Sequence, residues 1–344
     1  MSGTAYERAI EGLRKEPRRW LVTGAAGFIG SGLVQELLLC DQTVVGLDNF
    51  STGRPANLED VRARVGEERW KRFAMQEGDI RRLETCHRAC SGVELVLHQA
   101  ALGSVPRSIE DPVTSHESNV SGTVNMLVAG RDAGLRRFVF ASSSSIYGDE
   151  PSLPKIESRT GRPLSPYAVT KVAGERYVRV FGDTYGLPVV SLRYFNVFGP
   201  RQDPDGPYAA VIPKWISALR HGRPVQIYGD GKTSRDFCYL ANAIQANVLA
   251  ATTGEPGALG EAFNVAVGER TTLNELFAMV RDRLARHQPA VADVEPEYRD
   301  FRAGDVRHSL ADIGHAERIL GYRPTHSLGE GLDESMGWYV ESGL

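Results

Sequence analysis

Short apolar runs recur along the first 200 residues and alternate with segments of helical periodicity. The apolar runs predict strands over residues 20–23, 43–48, 72–77, 95–99, 138–142 and 189–194. Three of them, beginning at Leu95, Phe138 and Val189, are apolar throughout, which is typical of strands buried on both faces of a parallel sheet. Helices are predicted over 31–39, 83–90, 119–133 and 167–185. This alternation predicts an α/β fold with a doubly wound parallel sheet.

The pattern changes after Asn196. A turn-rich segment over 199–208 leads into predicted helices over 211–221 and 272–284 and a short strand over 226–229. A helix over 241–251 and a strand over 262–267 are expected to return to the main sheet. We therefore expect a Rossmann-type dinucleotide domain over 1–198, joined again by 241–267. Residues 199–240 and 268–344 would form a smaller, interleaved α/β substrate lobe, and 6–15 a surface helix.

Composition narrows the class of protein. The chain has 344 residues, 42% of them hydrophobic, and a formal charge of −3 without a long basic run, which argues against nucleic acid as a partner. No stretch has the length and apolarity of a membrane span or a secretion signal, so a cytoplasmic protein is expected. The four cysteines do not suggest a disulfide framework. Cys86 and Cys90 are spaced like a metal pair, but buried thiols are favoured and no metal is predicted.

The first motif with chemical content is the glycine turn that follows the first predicted strand. Gly24 permits the tight turn, Gly27 allows the backbone to approach a pyrophosphate, and Gly30 allows close packing of helix on strand. Asp48 ends the next strand, where its carboxylate can accept hydrogen bonds from both hydroxyls of an adenine ribose. This carboxylate favours NAD over NADP, and Arg54 tempers that preference only slightly. The alternative is a glycine turn that binds nothing.

The second motif is a phenol and an ammonium one helical turn apart. Tyr167 and Lys171 share a helix face, and a nearby positive charge makes a phenol a better base. Such a pair alone is more often a core ring with a solvated amine. However, an apolar strand over 138–142 runs into four consecutive serines, at the sheet edge where ligands bind in such folds. The serines could instead form a hydroxyl-rich turn. His98 follows an apolar run and is expected to be a core residue.

Together, these residues resemble the extended short-chain dehydrogenase/reductases, and within them the nucleotide-sugar 4-epimerases. The match runs from Trp20 to about Tyr322. Its further motifs are Gly78-Asp79-Ile80-Arg81, His98-Gln99-Ala100-Ala101, Asn119-Val120-Ser121-Gly122-Thr123, Ser165-Pro166-Tyr167, Leu192–Pro200, Gly229-Asp230-Gly231, Arg235-Asp236-Phe237 and Phe301–Asp305. The resemblance implies that Tyr167 is the acid/base, that Lys171 binds the nicotinamide ribose, and that Ser143 is the catalytic hydroxyl. The predicted NAD site comprises Gly24, Gly27, Phe28, Ile29, Gly30, Asp48, Asn49, Ser51, Gly53, Asp79, Ile80, Gln99, Asn119, Tyr167, Lys171 and Val197.

The resemblance also implies a UDP-sugar substrate. Asn196 would contact the diphosphate or sugar, Tyr228 the uracil or its ribose, Arg235 and Arg302 the diphosphate, and Asp305 the uridine ribose. The predicted substrate site comprises Gly103, Ser104, Ser143, Ser144, Asn196, Ala210, Val211, Tyr228, Arg235, Arg302, Asp305 and Ser309.

The segment after Ser143 bears on the reaction. Related dehydratases and decarboxylases carry an acidic residue there, whereas this chain has Ser144-Ser145-Ile146, which favours epimerisation. Small residues at Gly103 and Ser309 leave room for a 2-acetamido group. The sequence therefore resembles the subgroup that interconverts UDP-N-acetylglucosamine and UDP-N-acetylgalactosamine with tightly bound NAD, with weaker activity on UDP-glucose and UDP-galactose.

Two alternatives remain open at this stage. A UDP-glucuronate 4-epimerase would need a cation for the carboxylate, for which Arg107 and Lys214 are candidates. A protein of another class, a non-catalytic NAD-sensing regulator, could use the same fold. The family also implies a homodimer that forms through the predicted helices over 119–133 and 167–185.

Overall fold

The computed structural model describes residues 3–204, 209–301 and 306–342. Its strands are β1 (Arg19–Thr23), β2 (Thr43–Asp48), β3 (Phe73–Glu77), β4 (Leu95–His98), β5 (Arg137–Ser143), β6 (Val189–Tyr194), β7 (Val197–Phe198), β8 (Gln226–Tyr228), β9 (Ser234–Arg235), β10 (Cys238–Tyr239), β11 (Ala262–Val265), β12 (Thr271–Thr272) and β13 (Glu297–Arg299). Its α-helices are α1 (Ala5–Lys15), α2 (Phe28–Leu39), α3 (Pro55–Val65), α4 (Glu67–Trp70), α5 (Leu83–Cys90), α6 (Val105–Glu110), α7 (Pro112–His116), α8 (Gly122–Asp132), α9 (Pro166–Tyr185), α10 (Val211–Arg220), α11 (Leu240–Thr252), α12 (Leu273–Ala285), α13 (Gly314–Leu320) and α14 (Leu328–Glu341).

The main sheet contains seven described strands, in the order β11-β6-β5-β4-β1-β2-β3, and all of its pairings are parallel. The predicted fold class, a Rossmann-type doubly wound sheet, is therefore confirmed. Strand order reverses at β1, which lies between β2 and β4. In such sheets a crevice opens beyond the carboxyl ends of the strands at this reversal, which is where a dinucleotide binds.

Both faces of the sheet are covered by helices, as the apolar strands predict. Along β1, Trp20 and Val22 point into one core together with α2 and α11, whereas Leu21 points into the other core with α5, α8 and α9. Alternate residues of one strand thus enter opposite cores, because successive side chains in a strand point to opposite faces. This double burial explains the apolar runs of β4, β5 and β6, whereas the edge strand β3 is only partly buried and ends in Gln76 and Glu77.

Helix α9 positions two candidate catalytic residues, and its ends follow from local sequence. The Ser165 hydroxyl accepts a hydrogen bond from the Ala168 N–H at 3.1 Å, and Pro166 occupies the first turn. Gly186 ends the helix in the left-handed region at φ 68°. The helix predicted over 119–133 is interrupted, since residues 117–121 form a π-helical turn before α8 begins. The two ends of α9 are thus set by Ser165 with Pro166 and by Gly186.

The smaller lobe is assembled from paired short strands and three helices. β8 pairs with β13, β9 with β12, and β10 with β7, while Trp215, Phe277 and Leu332 bring α10, α12 and α14 into one core. Strand β11 pairs with β6, and α11 packs on β4, β5 and β6. From this packing we propose that 241–267 belong to the main domain, as predicted. Helix α13 lies within the 268–344 segment predicted for the smaller lobe, but it packs on β11 and α11 in the main-domain core.

Two further observations concern the whole described chain. No helix in residues 3–204, 209–301 and 306–342 combines the length and apolarity needed to cross a membrane. Across the same residues, no three His, Cys, Asp or Glu side chains are grouped so that they could hold a metal ion. Cys86 and Cys90 are buried, and burial raises the pKa of each thiol to about 12.

Candidate active site

A cleft at the carboxyl edge of the main sheet, here called the glycine cleft, is built around the turn between β1 and α2. Gly24 has φ 68°, and a Cβ there would lie 2.9 Å from the Ala100 backbone nitrogen. A Cβ at Gly30 would collide with the carbonyl of Gly24. The turn is thus tight enough to exclude side chains from both positions. Because the exposed backbone at a helix start favours phosphate, the glycine cleft suits a pyrophosphate.

Asp48 lies at the end of β2, in the wall of the glycine cleft. Its carboxylate accepts hydrogen bonds from the N–H groups of Ala26 at 2.9 Å and Phe50 at 2.8 Å. Burial raises the pKa of Asp48, and the backbone hydrogen bonds counteract part of that rise. A Cβ at Gly53 would lie 2.8 Å from a carboxylate oxygen of Asp48, so Gly53 leaves this carboxylate its space. Arg54 is paired with Asp203 at 3.3 Å.

The other wall of the glycine cleft carries a second carboxylate. Asp79 accepts hydrogen bonds from Arg81 at 2.7 Å and from Asn49 at 3.0 Å, and mainly the Arg81 side chain lowers its pKa, to about 2. Most of the predicted cofactor residues line this cleft, namely Gly24, Gly27, Phe28, Ile29, Gly30, Asp48, Asn49, Ser51, Asp79, Ile80, Gln99, Tyr167 and Lys171.

Three predicted cofactor residues lie behind or beside the glycine cleft. Gly53 supports Asp48, as described above, and Val197 lies in a different cleft. Asn119 is buried. Its side-chain amide accepts a hydrogen bond from the Leu102 N–H at 2.7 Å and donates one to the Leu102 carbonyl at 3.0 Å. Since Leu102 lines the glycine cleft, Asn119 helps to position the loop of Leu102 in the wall of that cleft.

Tyr167 and Lys171 close the glycine cleft at its inner end. The Lys171 ammonium donates to the Ala141 carbonyl at 2.8 Å and lies 5.9 Å from the centre of the Tyr167 ring. Burial lowers the pKa of Lys171 to about 8, although Glu175 opposes this. Burial raises the pKa of Tyr167, and its hydrogen bond with Ser143 acts in the opposite direction. A lower pKa for this phenol is expected from the Lys171 ammonium together with the positive nicotinamide ring, and it stays a prediction.

The structure distinguishes the four consecutive serines. Ser142 donates to Glu175 at 2.5 Å, so its hydroxyl is committed to the protein interior. Ser143 accepts from the Ser145 N–H at 3.1 Å and is the serine that hydrogen-bonds with Tyr167. Ser144 and Ser145 face the neighbouring cleft. The hydroxyl beside the phenol is thus that of Ser143.

A second cleft, of about 540 Å³ and here called the serine cleft, adjoins the first. Tyr167 and Tyr194 line both clefts, so the phenol of Tyr167 lies where they meet. The predicted substrate residues in the serine cleft are Ser104, Ser143, Ser144, Asn196, Arg235 and Ser309. Gly103 lines the glycine cleft, where a Cβ would meet no atom within 4 Å.

A third cleft, here called the tryptophan cleft because it contains Trp215, continues from the serine cleft into the smaller lobe. Asn196 and Arg235 line both. Asn196 has φ 34°, uncommon for a residue other than glycine, and its amide donates to the Asp236 carbonyl at 2.9 Å. The predicted residues in the tryptophan cleft are Ala210, Val211 and Tyr228, with Asn196 and Arg235 at its mouth. Arg302 and Asp305 lie outside the described residues.

Several residues of this site escaped sequence analysis. Tyr194 donates to Gln99 at 3.1 Å and accepts from Asn247 at 2.7 Å; its position at the end of a strand could have indicated it. Lys155, only 5% exposed, lines the serine cleft, and its ammonium donates to the Glu150 carbonyl. No periodic pattern surrounds Lys155, so the sequence offered no signal for it.

Arg107 and Lys214, the cations predicted to bind the carboxylate of a UDP-glucuronate substrate, are not described as lining the serine cleft. Lys214 lines the tryptophan cleft, and Arg107 is not among the described lining residues of the serine cleft. His98 is buried between the hydroxyls of Thr23 at 2.8 Å and Thr123 at 3.1 Å. Burial and the charge of Lys171 lower its pKa to about 3, which confirms it as a neutral core residue.

Comparison with known proteins agrees with this geometry. The family model of the NAD dependent epimerase/dehydratase family matches residues 20–266. A UDP-glucose 4-epimerase of Mycolicibacterium smegmatis is 39% identical over 323 residues, which cover 93% of this chain and 98% of that protein. A UDP-glucuronate 4-epimerase of Thermodesulfobacterium geofontis is 31% identical, with 94% and 96% covered. The solved UDP-N-acetylglucosamine 4-epimerase from Methanobrevibacter ruminantium, in complex with UDP-N-acetylmuramic acid, is 36% identical with TM-score 0.86, covering 95% of this chain and 99% of that one.

The chain therefore belongs to the NAD dependent epimerase/dehydratase family. The resemblance to UDP-sugar 4-epimerases of the extended short-chain dehydrogenase/reductase type is confirmed, and NAD is the cofactor. The glycine cleft fits that cofactor, because its turn excludes side chains where a pyrophosphate could approach and because the Asp48 carboxylate at the end of β2 could accept from a ribose.

Proposed function

We propose that this protein interconverts UDP-N-acetylglucosamine and UDP-N-acetylgalactosamine by inverting carbon 4 of the sugar. The observation that carries the proposal is the position of Tyr167, whose phenol lies between the glycine cleft and the serine cleft. A sugar in the serine cleft, with its UDP in the tryptophan cleft, would present its 4-hydroxyl to this phenol. The shared residues Asn196 and Arg235 would then contact the diphosphate between sugar and uridine.

In the proposed cycle, Tyr167 removes the proton of the 4-hydroxyl and, after the 4-keto sugar has turned to present its other face, returns a proton to the carbonyl oxygen. Ser143 donates a hydrogen bond to the reacting oxygen, and the Lys171 ammonium stabilises the phenolate. The residues of the glycine cleft would hold NAD, whose chemistry would be to take up the hydride of carbon 4 and to return it to the opposite face of that carbon. Between these steps the 4-keto sugar rotates about its diphosphate link, held by the residues of the tryptophan cleft. The cofactor is regenerated in each cycle, so it should remain bound.

The composition of the serine cleft supports epimerisation over dehydration or decarboxylation. Those reactions need a second base beside the transient ketone. Among the described residues that line the serine cleft there is no Asp or Glu; its polar groups are hydroxyls, Asn196, Arg235 and Lys155. With Tyr167 as the base, this cleft offers what a 4-epimerase requires.

The choice of an acetylated sugar is supported by the small residues at the serine cleft. Ser104, Ser144 and Ser309 line it together, and the open space beside Gly103 adds room at its border. A 2-acetamido group needs such space, whereas a bulky residue at Ser309 would fill it. The solved neighbour described above as a UDP-N-acetylglucosamine 4-epimerase is consistent with this choice.

The direct test is to incubate the purified protein with UDP-N-acetylglucosamine, without added NAD, and to follow the anomeric proton signals by NMR. We expect UDP-N-acetylgalactosamine to form with no net reduction of cofactor. UDP-glucose and UDP-glucuronate are run in parallel, and both should give a lower kcat/KM. Failure to convert any of these sugars, even with added NAD, would contradict the proposed activity.

A second candidate, 4-epimerisation of UDP-glucuronate, is favoured by Lys155. This lysine is the additional cation that lines the serine cleft, and burial lowers its pKa. If it binds a uronate carboxylate, Lys155→Gln should lower kcat/KM for UDP-glucuronate about 10–100-fold more than for UDP-N-acetylglucosamine, because a charged hydrogen bond is lost. An equal loss on both substrates would assign Lys155 to holding the loop of Glu150, and would count against the uronate candidate.

We also propose a homodimer that forms through α9. Val169, Tyr177 and Val180 are 53%, 43% and 52% exposed, an unusual amount of apolar surface on one helix. Light scattering should give twice the chain mass of 37.7 kDa for the parent protein. Val180→Glu should shift it toward the monomer, whereas Leu259→Glu, at another exposed apolar position, should not. A parent protein that is monomeric at every concentration would contradict this proposal.

A further inference from the structure

A large groove lies at the opposite edge of the main sheet from the catalytic residues. It is bounded by α1, the first residues of β4 and β5, and the last turns of α11 and α13, and has a volume of about 830 Å³. We call it the basic groove, after the six cationic side chains that line it: Arg8, Lys15, Arg18, Arg136, Arg137 and Arg318. Helix α1 precedes the residues matched by the family model.

The charge of the basic groove is opposite to that of the whole chain. Against six cations it contains two described carboxylates, Glu16 and Glu255, whereas the chain carries a formal charge of −3. The ends of α11 and α13 contribute partial negative charge, about half a unit each. Glu11 and Glu94 lie outside the lining but pair with its cations, which leaves two excess positive charges; the partial charges of the helix ends offset roughly one of them. The groove therefore attracts anions.

Ion pairs neutralise only part of this cluster. Lys15 pairs with Glu11 at 2.6 Å, Arg18 pairs with Glu16 at 3.1 Å and with Glu94 at 3.3 Å, and Arg136 shares Glu94 at 3.4 Å. Within the described parts of the chain, three further guanidinium groups have no carboxylate within 4.0 Å: those of Arg8, Arg137 and Arg318.

Arg137 shows most clearly that a counter-ion is lacking. Its guanidinium donates to the carbonyls of Ala250 at 3.2 Å and Thr253 at 3.0 Å, at the end of α11. Its Nε is buried without an acceptor among the described residues, and burial lowers the pKa of the group. A buried charge that lacks a counter-ion is costly, so an anion close to Arg137 would recover part of that cost.

The floor of the basic groove is apolar. Ala5, Ala9 and Leu13 of α1 line it together with Leu249 of α11; Leu13 and Leu249 are each 3% exposed, so the accessible apolar surface comes mainly from the two alanines. Small residues on α1 leave the space open, and the volume lies in the range of sites for small organic ligands. A ligand with both a flat apolar part and several negative charges would match the floor and the rim together.

We propose that the basic groove is a binding site for a small polyphosphate-bearing ligand of nucleotide size, separate from the catalytic clefts. The phosphates contact the arginines at the rim, and the base lies on the apolar floor. Since β5 runs from Arg137 in the groove to Ser143 beside Tyr167, the two sites are at opposite ends of one strand. The proposal does not depend on which sugar the enzyme uses.

The experiment uses a matched pair of charge variants at Gly12, which lines the groove. A Cβ at Gly12 would meet no atom within 4 Å, and either new side chain is a better helix former than glycine, so both variants should fold. Calorimetric titrations with inorganic pyrophosphate and with ADP are made on the parent, Gly12→Glu and Gly12→Lys. No residue of α1 is among the described lining residues of the three catalytic clefts, so a difference between the two variants reports on the basic groove.

We expect the parent to bind one pyrophosphate per groove and to bind ADP more tightly. Gly12→Glu should weaken the affinity for pyrophosphate and for ADP by about tenfold or more, and Gly12→Lys should leave both affinities unchanged or increase them. The proposal is overturned if neither ligand binds in a saturable manner, or if Gly12→Glu and Gly12→Lys bind equally. ADP binding no tighter than pyrophosphate would overturn the assignment of the base to the apolar floor.

Discussion

The glycine cleft and the serine cleft meet at one phenol but are built in different ways. The glycine cleft consists mainly of backbone and side chains at the ends of consecutive parallel strands, such as Asp48 after β2. The serine cleft is assembled from segments far apart in sequence, including Asn196, Arg235 and Ser309, on loops and two-residue strands. The cleft proposed for the cofactor is thus formed at the ends of the sheet strands, whereas the cleft proposed for the substrate is formed largely by loops and short strands outside the main sheet.

This difference in construction separates two kinds of change. A substitution where the clefts meet should affect every substrate alike, because all substrates need the same proton transfer. A substitution on the far wall of the serine cleft should change the ratio between substrates and leave the chemistry intact. Substitutions at Tyr167 and Ser309 test this separation, and a substitution at Asp236 tests the stability of the smaller lobe; the largest effect is expected at Tyr167.

Tyr167→Phe should lower kcat about 100- to 10,000-fold on every UDP-sugar that the parent converts, because the acid/base group is removed. The fold should be unaffected, since the phenol oxygen has Ser143 as its hydrogen-bonding partner. The measurement is kcat on at least two sugars, together with the amount of NAD released on denaturation. Bound NAD should equal that of the parent.

The matched control is Tyr177→Phe, which removes a phenol oxygen from an exposed position on the same helix. Its kcat should be unchanged. A Tyr167→Phe protein as active as the parent would contradict the catalytic assignment and would revive the non-catalytic, NAD-sensing interpretation.

The main sheet could be predicted from the sequence because its strands are apolar on both faces. The bounds of β2 and β6 agree with the prediction to the residue. The short strands of the smaller lobe were mostly missed, since a two-residue strand such as β9 or β12 has no periodicity to detect. Their pairing is fixed by tertiary contacts that no local pattern encodes.

The candidate site divides in the same way. The glycine turn and Asp48 follow from strand ends, and a side chain at a strand end must lie at the carboxyl edge. Asn119 shows where sequence analysis stops. Its motif predicted a cofactor-binding residue, but it did not indicate that the Asn119 amide hydrogen-bonds to the backbone of Leu102. Lys155 could not be found, since its position depends on a loop that pairs with Ala311, 156 residues later in the chain.

Asp236 connects separate segments of the chain at the smaller lobe, and its buried carboxylate should make the stability of the protein depend on pH. Its fully buried carboxylate accepts from the N–H groups of Val267 at 3.0 Å, Gly268 at 3.1 Å and Ala311 at 3.2 Å. Burial raises its pKa from 3.8 to about 6. The folded state therefore holds a proton between pH 3.8 and about 6 that the unfolded chain has released.

Because the folded-state pKa is the higher one, the contribution of Asp236 to the free energy of unfolding falls as pH rises through this window. A difference of about two pKa units corresponds to roughly 3 kcal/mol. Urea unfolding of the parent and Asp236→Asn at several pH values from 4 to 7 isolates this group. The parent should lose roughly that much relative to the variant, and a constant difference would place the carboxylate in an ordinary, ionised state.

The smallest and most specific effect is expected at Ser309, on the wall of the serine cleft beside Ser144. Ser309→Tyr should fill the space proposed for the 2-acetamido group and lower kcat/KM for UDP-N-acetylglucosamine relative to UDP-glucose by about 10–200-fold, the range of a steric fit worth 1–3 kcal/mol. Ser309→Ala is the control and should preserve the ratio, because it adds no bulk. If Ser309→Tyr instead depresses both sugars equally, this wall contributes to general binding. In that case substitutions at Tyr167 and at Ser309 would both affect all substrates alike, and the proposed separation between the two clefts would be wrong.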